Sequence, residues 1–242
     1  MIRFLWRAYR ARFRDQRAEL HELLSAIEPG DTVVDVGAHK GSYLYWLSLA
    51  VRGGQVVAFE PQPALAEYLR TQCRTLGLSN VTVEAVGVSD RTGSLTLHVP
   101  GQTASQAASF EGAVLKQGEC QSYSVPVVTL DDYFHSQTQR ITAIKIDAEG
   151  HELAVLRGAR RILTEDVPCL TVECEARHLA NGSVTDVLQY LESLGYQGDF
   201  VNQRHLCPIA EFNPDTHQRA VGAKFWDAKD YCNNFVLRKR AA

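Results

Sequence analysis

Short apolar runs alternate with segments of helical spacing along most of this sequence of 242 residues. Continuous apolar runs predict buried strands, and apolar residues recurring every three or four positions predict helices. The predicted strands are Thr32–Val36, Gln55–Phe59, Val81–Val88, Ile141–Ile146, Cys169–Cys174 and Asn234–Leu237. The predicted helices are Ser42–Val51, Pro63–Leu76, Glu149–Leu163 and Val184–Leu194. This alternation is typical of an α/β domain whose mostly parallel sheet has helices on both faces.

Two segments interrupt this alternation. In the first, about 91–134, Ser94–Val99 and Tyr123–Thr129 are predicted to form an inserted β-hairpin joined by a polar loop. Long loops within a domain often serve as lids or binding loops. The second segment, 202–232, is irregular and has several aromatic side chains. Five of its side chains belong either to the wall of a substrate pocket or to the core: His205, Phe212, Phe225, Trp226 and Tyr231.

The N-terminal segment is predicted to be one helix over 3–27, because its apolar residues keep helical spacing until Pro29 and Gly30. We therefore divide the chain into a helical extension, 1–29, and one domain, 30–242. The extension is rich in arginine. Its arginines either contact an anionic partner or a membrane surface, or simply face solvent, and solvent is the favoured interpretation. The same helix is the candidate contact for a homodimer.

Composition narrows the possible classes of protein. The net charge of −3 argues against a nucleic-acid binder, so no nucleic-acid partner is expected. The six cysteines form no CxxC pair, which is typical of reduced thiols in a cytosolic protein. Arginines interrupt the N-terminus, unlike a signal peptide, and no apolar stretch approaches the roughly 18 residues of a membrane span. A cytoplasmic location is therefore expected.

Acidic residues mark the ends of three predicted strands, where a parallel sheet binds its ligand. The first is followed by the turn Asp35-Val-Gly-Ala-His-Lys-Gly41, whose glycines allow a sharp turn and close approach to a ligand. The turn lacks the second close glycine that admits a pyrophosphate, and Asp35 suits a cationic ligand. Glu60, at the second strand end, can accept hydrogen bonds from ribose hydroxyls. Together they predict S-adenosylmethionine as the cofactor.

The fourth strand end is the most crowded with ionisable groups: Lys145, Asp147, Glu149, His151 and Glu152. Such crowding is costly unless the groups serve a site or pair with one another. We predict that Asp147 lies beside the cofactor and that Glu149 or His151 is a general base, with Asp147 as a further alternative. Glu152 either caps or orients the loop.

The sequence resembles the FkbM family of methyltransferases, within the class I S-adenosylmethionine fold. The motifs that carry the resemblance are DVGAHKGSY (35–43), FEP (59–61), AVGVSDRTG (85–93), VVTLDDYF (127–134), IKIDAEGHELAVLRGA (144–159) and NFVLRK (234–239). The resemblance implies a Rossmann-like, seven-stranded sheet whose last strand is antiparallel, and O-methylation of a hydroxyl on a small molecule, sugar or secondary metabolite. The cofactor-binding residues expected from these motifs are Asp35, Gly37, Ala38, His39, Gly41, Tyr43, Glu60, Pro61 and Asp147.

Several alternatives stay open at this stage. The acceptor could instead be nucleic acid or protein, or the chain could be a non-catalytic cofactor-binding module. A nicotinamide-dependent oxidoreductase is disfavoured because the GxGxxG pattern is missing. No metal is expected, although Asp147 and Glu149 could supply two oxygen ligands to magnesium or calcium.

Overall fold

Two apolar runs, β1 (Thr32–Val36) and β7 (Ile141–Asp147), lie side by side and parallel at the centre of the main sheet. The structure is a computed structural model that describes residues 1–101, 103–105, 107–112, 119–179, 182–222 and 224–239. Every residue of β1 is buried, because helices cover both faces of a central parallel strand. Alternate residues point to opposite faces: Val33 joins one core cluster, whereas Val34 and Val36 join the other.

The strands and helices are numbered in chain order. The remaining strands are β2 (Gln55–Phe59), β3 (Val81–Glu84), β4 (Gly87–Val88), β5 (Gly93–Pro100), β6 (Cys120–Val128), β8 (Cys169–Glu173), β9 (Tyr196–Asn202), β10 (His205–Pro208) and β11 (Asn234–Lys239). The α-helices are α1 (Ile2–Arg10), α2 (Arg17–Ser25), α3 (Leu44–Ala50), α4 (Pro63–Leu76), α5 (Leu130–Tyr133), α6 (Glu152–Arg157), α7 (Arg160–Glu165), α8 (Val184–Ser193) and α9 (Pro214–His217).

The main sheet has the strand order β10-β9-β11-β8-β7-β1-β2-β3 in the described part of the chain. The prediction of an α/β fold with an antiparallel last strand is confirmed, since β11 pairs antiparallel with both β8 and β9. The predicted count of seven strands is wrong by one, because β10 folds back on β9 and adds an edge strand. The inserted hairpin is formed by β5 and β6, which pair antiparallel, with β4 added parallel to β6.

The single helix predicted over 3–27 is also wrong. A π-helical turn, Ala11–Asp15, separates α1 from α2. The buried residues Phe4, Ala8 and Ala11 repeat at helical spacing, but the next buried leucine, Leu20, is out of phase with them. The extra residue in a π turn shifts the phase, so that α2 also buries its apolar side.

Two other predicted elements are each divided in the structure. Val81–Val88 is split into β3 and β4, which belong to different sheets. The helix predicted over Glu149–Leu163 is split into α6 and α7 at Gly158, where the chain approaches the carbonyl of Ser89 so closely that a Cβ would lie 2.0 Å from it. Helix α6 begins only at Glu152, so residues 149–151 lie in a turn at the sheet edge and are not helical.

No helix within the described ranges is long and apolar enough to cross a membrane. All six cysteines are free thiols, and four of them are buried.

Candidate active site

The ends of β1, β2 and β7 meet at one cleft, because parallel strands place their carboxyl ends at the same sheet edge. Five of the predicted cofactor-binding residues line it: Gly37, His39, Glu60, Pro61 and Asp147. Glu149 lines it as well. From the inserted segment, Phe110 covers the cleft and packs against Gly87. The other predicted binding residues, Asp35, Ala38, Gly41 and Tyr43, lie behind this lining.

Lys145 forms ion pairs with the carboxylates at the ends of two strands. Its Nζ lies 3.2 Å from Asp35 Oδ1 and 3.5 Å from Asp147 Oδ2, and it donates a 2.7 Å hydrogen bond to the carbonyl of Gly37. Burial alone would lower the pKa of Lys145, but the two carboxylates outweigh burial and hold that pKa above its ordinary value. The charge of Asp35 is therefore compensated by a lysine of the protein, and Asp35 lies behind the residues that line the cleft.

Gly37 sits where the turn after β1 crosses the end of β7. Its φ is +72°, and a Cβ there would lie 1.8 Å from the carbonyl oxygen of Asp147. Any side chain would push the two strand ends apart. The amides of Gly37 and Ala38 both donate to the carbonyl of Phe59, which fixes the turn to β2 as well.

Glu60 is a buried acceptor at the end of β2. Its Oε2 accepts from the amide of His39 at 2.8 Å, and its Oε1 accepts from the amide of Gln62 at 2.9 Å. Each carboxylate oxygen keeps a second acceptor position, so two further donors such as ribose hydroxyls can be accommodated. Burial raises the pKa of Glu60 to about 7, against the lowering effect of the two amides.

His39 contributes a neutral imidazole to the same cleft. Burial lowers its pKa to about 4, assisted by the positive charges of Lys40 and Lys145. Its Nε2 is buried and has no hydrogen-bond partner among the residues that the structure describes. Such an atom is suited to a polar group of a ligand, since an unpaired buried nitrogen is otherwise costly.

Glu149 and His178 form a close pair beside Asp147. Glu149 Oε2 lies 2.6 Å from His178 Nδ1, and both side chains are largely buried. Glu149 has a φ of +51°, a conformation that is uncommon for residues other than glycine and is often found at functional sites. Burial raises the pKa of Glu149, opposed by the hydrogen bond from His178.

Glu152 holds the turn that carries Glu149. Its Oε1 accepts hydrogen bonds from the amides of Ala148 and Gly150, at 3.1 and 2.9 Å. It therefore orients the loop, which is one of the two roles predicted for it.

We expect Glu152→Ala to lower the free energy of unfolding by about 2–6 kcal/mol, because two amides lose their acceptor and each costs about 1–3 kcal/mol when buried unpaired. Urea unfolding measures this change. Glu152→Gln is the matched control, since its amide oxygen can still accept both bonds and should retain most of the stability. Equal loss in the two variants would mean that the charge matters and the hydrogen bonds do not.

His151 faces a neighbouring cleft. Its Nε2 lies 2.9 Å from Ser89 Oγ, and its Nδ1 lies 3.0 Å from Glu111 Oε1 of the inserted segment. Phe110 packs against the imidazole and lines both clefts. Glu149 and His151, two residues apart in sequence, are thus separated: Glu149 borders the cleft with the strand ends, and His151 borders the other one.

A further acidic group, which was not predicted from the sequence, continues this sheet edge beyond Asp147. Glu173, at the end of β8, is opposite Asp147 in the strand register, and Asn233 donates to both Glu173 and Glu175. Burial and neighbouring carboxylates raise the pKa of Glu173 well above its ordinary value. The strand-end position of Glu173 was the available signal, since Cys169–Cys174 was already predicted as a strand.

Aromatic residues of the irregular segment divide between this edge and the core. Tyr231 donates to Glu175, and the ring of Trp226 lies 4.7 Å from the guanidinium of Arg177, which is itself paired with Glu175. Phe225 packs on Trp226 and Tyr231. In contrast, Phe212 packs into the core, and His205 is exposed on β10. Within the described ranges, no three His, Cys, Asp or Glu side chains are grouped so as to hold a metal.

Comparison with known proteins adds a family match. The model of the methyltransferase FkbM domain matches residues 35–197, which contain both the glycine turn and the Asp147–Glu152 segment. A curated relative, the hexuronic acid methyltransferase AglP of Haloferax volcanii, is 28% identical over 169 residues, which are 68% of this chain and 66% of that protein. The chain thus spans just under two thirds of the length of this relative.

Two solved structures share the fold. A methyltransferase FkbM from Methylobacillus flagellatus superposes with a TM-score of 0.54 at 19% identity, over 98% of this chain and 54% of that one. A putative methyltransferase from Streptococcus mutans, in complex with SAH, superposes with a TM-score of 0.51 at 12% identity, over 94% of this chain and 98% of that one.

Proposed function

The chain belongs to the FkbM methyltransferase family, and from this premise we propose that it transfers the methyl group of S-adenosylmethionine to a hydroxyl of a sugar or another small molecule. Membership confirms the predicted family and, with the likeness in fold, the class I architecture and the predicted cofactor. The observation that carries the O-methyl assignment is that Glu149, paired with His178, borders the same cleft as Gly37 and Glu60. The relative's name, a hexuronic acid methyltransferase, supports a sugar acceptor.

The lining of the cleft fits S-adenosylmethionine. Glu60 has free acceptor positions for ribose hydroxyls, and the backbone of Gly37 lines the cleft beside it. Burial and neighbouring carboxylates raise the pKa values of Glu149 and Glu173, and a cationic ligand would relieve this by stabilising their charged forms, so this edge favours a cationic ligand over an anionic one. His39 Nε2 offers a further polar contact. When bound, S-adenosylmethionine supplies an electrophilic methyl group, and the residues of the chain must position it and remove a proton.

We assign proton removal to Glu149. A hydroxyl becomes a better nucleophile as its proton is accepted, and a carboxylate whose pKa is raised by burial is a stronger base than an exposed one. His178 holds that carboxylate through Nδ1 and acts as a positioning residue. As the oxygen–methyl bond forms and the sulfur–methyl bond breaks, the hydroxyl proton passes to Glu149. His151 has both ring nitrogens engaged, by Ser89 and Glu111, and is the second candidate.

An acceptor screen tests the proposed function. The full chain is incubated with S-adenosylmethionine and a panel of hexuronic acids and neutral sugars, free and as glycosides, with bulk RNA and protein as competing acceptors. Product methylation and release of S-adenosylhomocysteine are followed by mass spectrometry. A methyl ether on a sugar is the expected product. Methylated RNA or protein, or cofactor binding without turnover on any acceptor, would contradict the assignment.

Cofactor affinity should depend on the ionisation of Glu60. Because the pKa of Glu60 is about 7, its carboxylate fraction falls from about nine tenths at pH 8 to about one tenth at pH 6. A protonated Glu60 loses acceptor capacity for ribose, so we expect the Kd for S-adenosylhomocysteine to rise up to about tenfold over this range. Calorimetric titration measures it. Glu60→Gln should bind S-adenosylhomocysteine weakly at both pH values. Any pH dependence that remains in this variant comes from the ligand's own amino group and serves as the correction. A pH dependence as large as that of the unchanged protein would contradict the role of Glu60.

A further inference from the structure

An exposed ridge of aromatic side chains runs along the N-terminal helix. Trp6, Tyr9 and Phe13 are 56%, 53% and 53% exposed, and Ile2 at the start of the same row is 80% exposed. Neighbouring rings contact one another: Trp6 and Tyr9 are stacked with centroids 5.7 Å apart, and Tyr9 and Phe13 are tilted with centroids 5.0 Å apart. Large apolar side chains are rarely exposed together in a row, and a contiguous exposed patch usually marks an interaction surface.

The opposite side of α1 packs against the rest of the domain and so holds the ridge in its outward position. Phe4 is fully buried, and its ring lies so close to Gly41 that a Cβ there would come within 2.5 Å. Trp46 of α3 donates to the carbonyl of Ala8 at 2.8 Å, and Arg7 donates to the hydroxyl of Tyr68. The helix therefore cannot turn its aromatic side inward without leaving its packing, and the ridge is presented outward.

Arginines flank the ridge. At about 100° per residue, Arg3 and Arg10 fall on one side of the aromatic row and Arg12 on the other. The guanidinium of Arg12 lies 5.9 Å from the Phe13 ring, and Arg3 is exposed. Residues 1–14 contain five arginines and no aspartate or glutamate. An apolar row bordered by arginines is the pattern of a helix that lies in the membrane interface, with its rings among the acyl chains and its guanidinium groups at the phosphates.

We propose that α1 and the following π turn dock this protein on the surface of an anionic phospholipid bilayer, without crossing it. Charge complementarity favours this partner over a second copy of the chain. A two-fold contact between ridges would bring arginines against arginines, and the one carboxylate of the docking segment, Asp15, already pairs with Arg10 and Arg14 of the same chain. An anionic bilayer instead attracts the arginines that border the ridge, Arg3 and Arg12 among them. This inference concerns binding alone and does not depend on the acceptor proposed above.

Vesicle flotation with the full chain tests the proposal. We expect binding to vesicles of phosphatidylcholine with about one third phosphatidylglycerol, weak binding to phosphatidylcholine alone, and release as salt is raised. Trp6→Ser/Tyr9→Ser/Phe13→Ser should weaken partitioning at least about tenfold. Arg3→Gln/Arg12→Gln should weaken it about fivefold per arginine on anionic vesicles only. Val221→Ser, which removes an exposed apolar side chain elsewhere, is the matched control and should bind like the unchanged protein.

Four results would overturn the proposal. The first is no binding to anionic vesicles, and the second is equal binding by the aromatic triple variant. The third is a dimer, seen by light scattering, that the triple variant dissociates while vesicles bind neither form. Binding of bulk RNA that the arginine variant loses, without vesicle binding, would likewise assign the surface to another partner. Circular dichroism of each variant shows that the fold is retained, as expected for side chains more than half exposed.

Discussion

Glu149→Gln is expected to lower kcat for methyl transfer by about 10²- to 10⁴-fold, the usual contribution of a general base. The substitution keeps the shape of the side chain and its position beside His178, but an amide cannot accept the hydroxyl proton. Because Glu60 and Gly37 are unaltered, the Kd for S-adenosylhomocysteine should change less than about twofold. Single-turnover rates with saturating cofactor, together with calorimetric titration, separate the two effects.

The pH profile provides a second readout of the same residue. Since burial raises the pKa of Glu149, the rate of the unchanged enzyme should fall on the acid side as that carboxylate is protonated. In Glu149→Gln this acid limb should be absent. His178→Asn, which removes the partner of Glu149, should shift the limb and lower kcat less than Glu149→Gln does, as expected of a positioning residue.

Two controls identify which residue is the base. Glu165→Gln changes an exposed glutamate on α7 and should leave the rate unaltered. His151→Ala should lower turnover by at least about tenfold if His151 contributes through the neighbouring cleft. Full activity of Glu149→Gln combined with complete loss in His151→Ala would move the base to His151 and contradict our assignment.

The central strands and the glycine turn were predictable because local sequence alone dictates them. In Thr32–Val36 the only polar residues are Thr32 and Asp35, so the strand has no polar face to turn to solvent. A glycine is needed at position 37 because the turn there crosses the end of a neighbouring strand. The acidic residues at strand ends could also be placed in one cleft, because the carboxyl ends of parallel strands lie at the same edge of a sheet. Glu173 would have been found by applying this rule to the fifth strand.

Contacts between distant segments were not predictable from spacing. Glu149 and His151 are two residues apart, yet their partners, His178 and Glu111, come from 29 and 40 positions away in opposite directions. Phe110, in the segment between β5 and β6, packs against His151 and lines both clefts, so it separates the surroundings of His151 from those of Glu149. Likewise, β9 was missed because polar residues and Gly198 interrupt its apolar positions, and β10 was missed because its four residues are too few to form a pattern. Neither strand has the apolar run that identifies a buried strand.

Lys145→Met should be the most destabilising single change in the site. Removing one partner of a buried ion pair leaves an uncompensated charge, at a cost of about 3–5 kcal/mol, and here two carboxylates lose their partner. The hydrogen bond to Gly37 is lost as well. We expect a matching drop in the free energy of unfolding in urea. Lys229→Met, at an exposed lysine, should change it by less than about 0.5 kcal/mol.

Removing the orphaned charge should restore part of this stability. Lys145→Met/Asp35→Asn replaces the buried carboxylate by a neutral amide of the same shape, so the double variant should be more stable than Lys145→Met alone. Asp35 already has a raised pKa in the folded protein, so the folded state binds its proton more tightly than the unfolded state does. Stability of Lys145→Met should therefore be greatest at low pH and fall as pH rises through the folded pKa of Asp35. A Lys145→Met variant that unfolds at the urea concentration of the unchanged protein, at neutral pH, would show that the lysine is not the counter-ion holding these strand ends together.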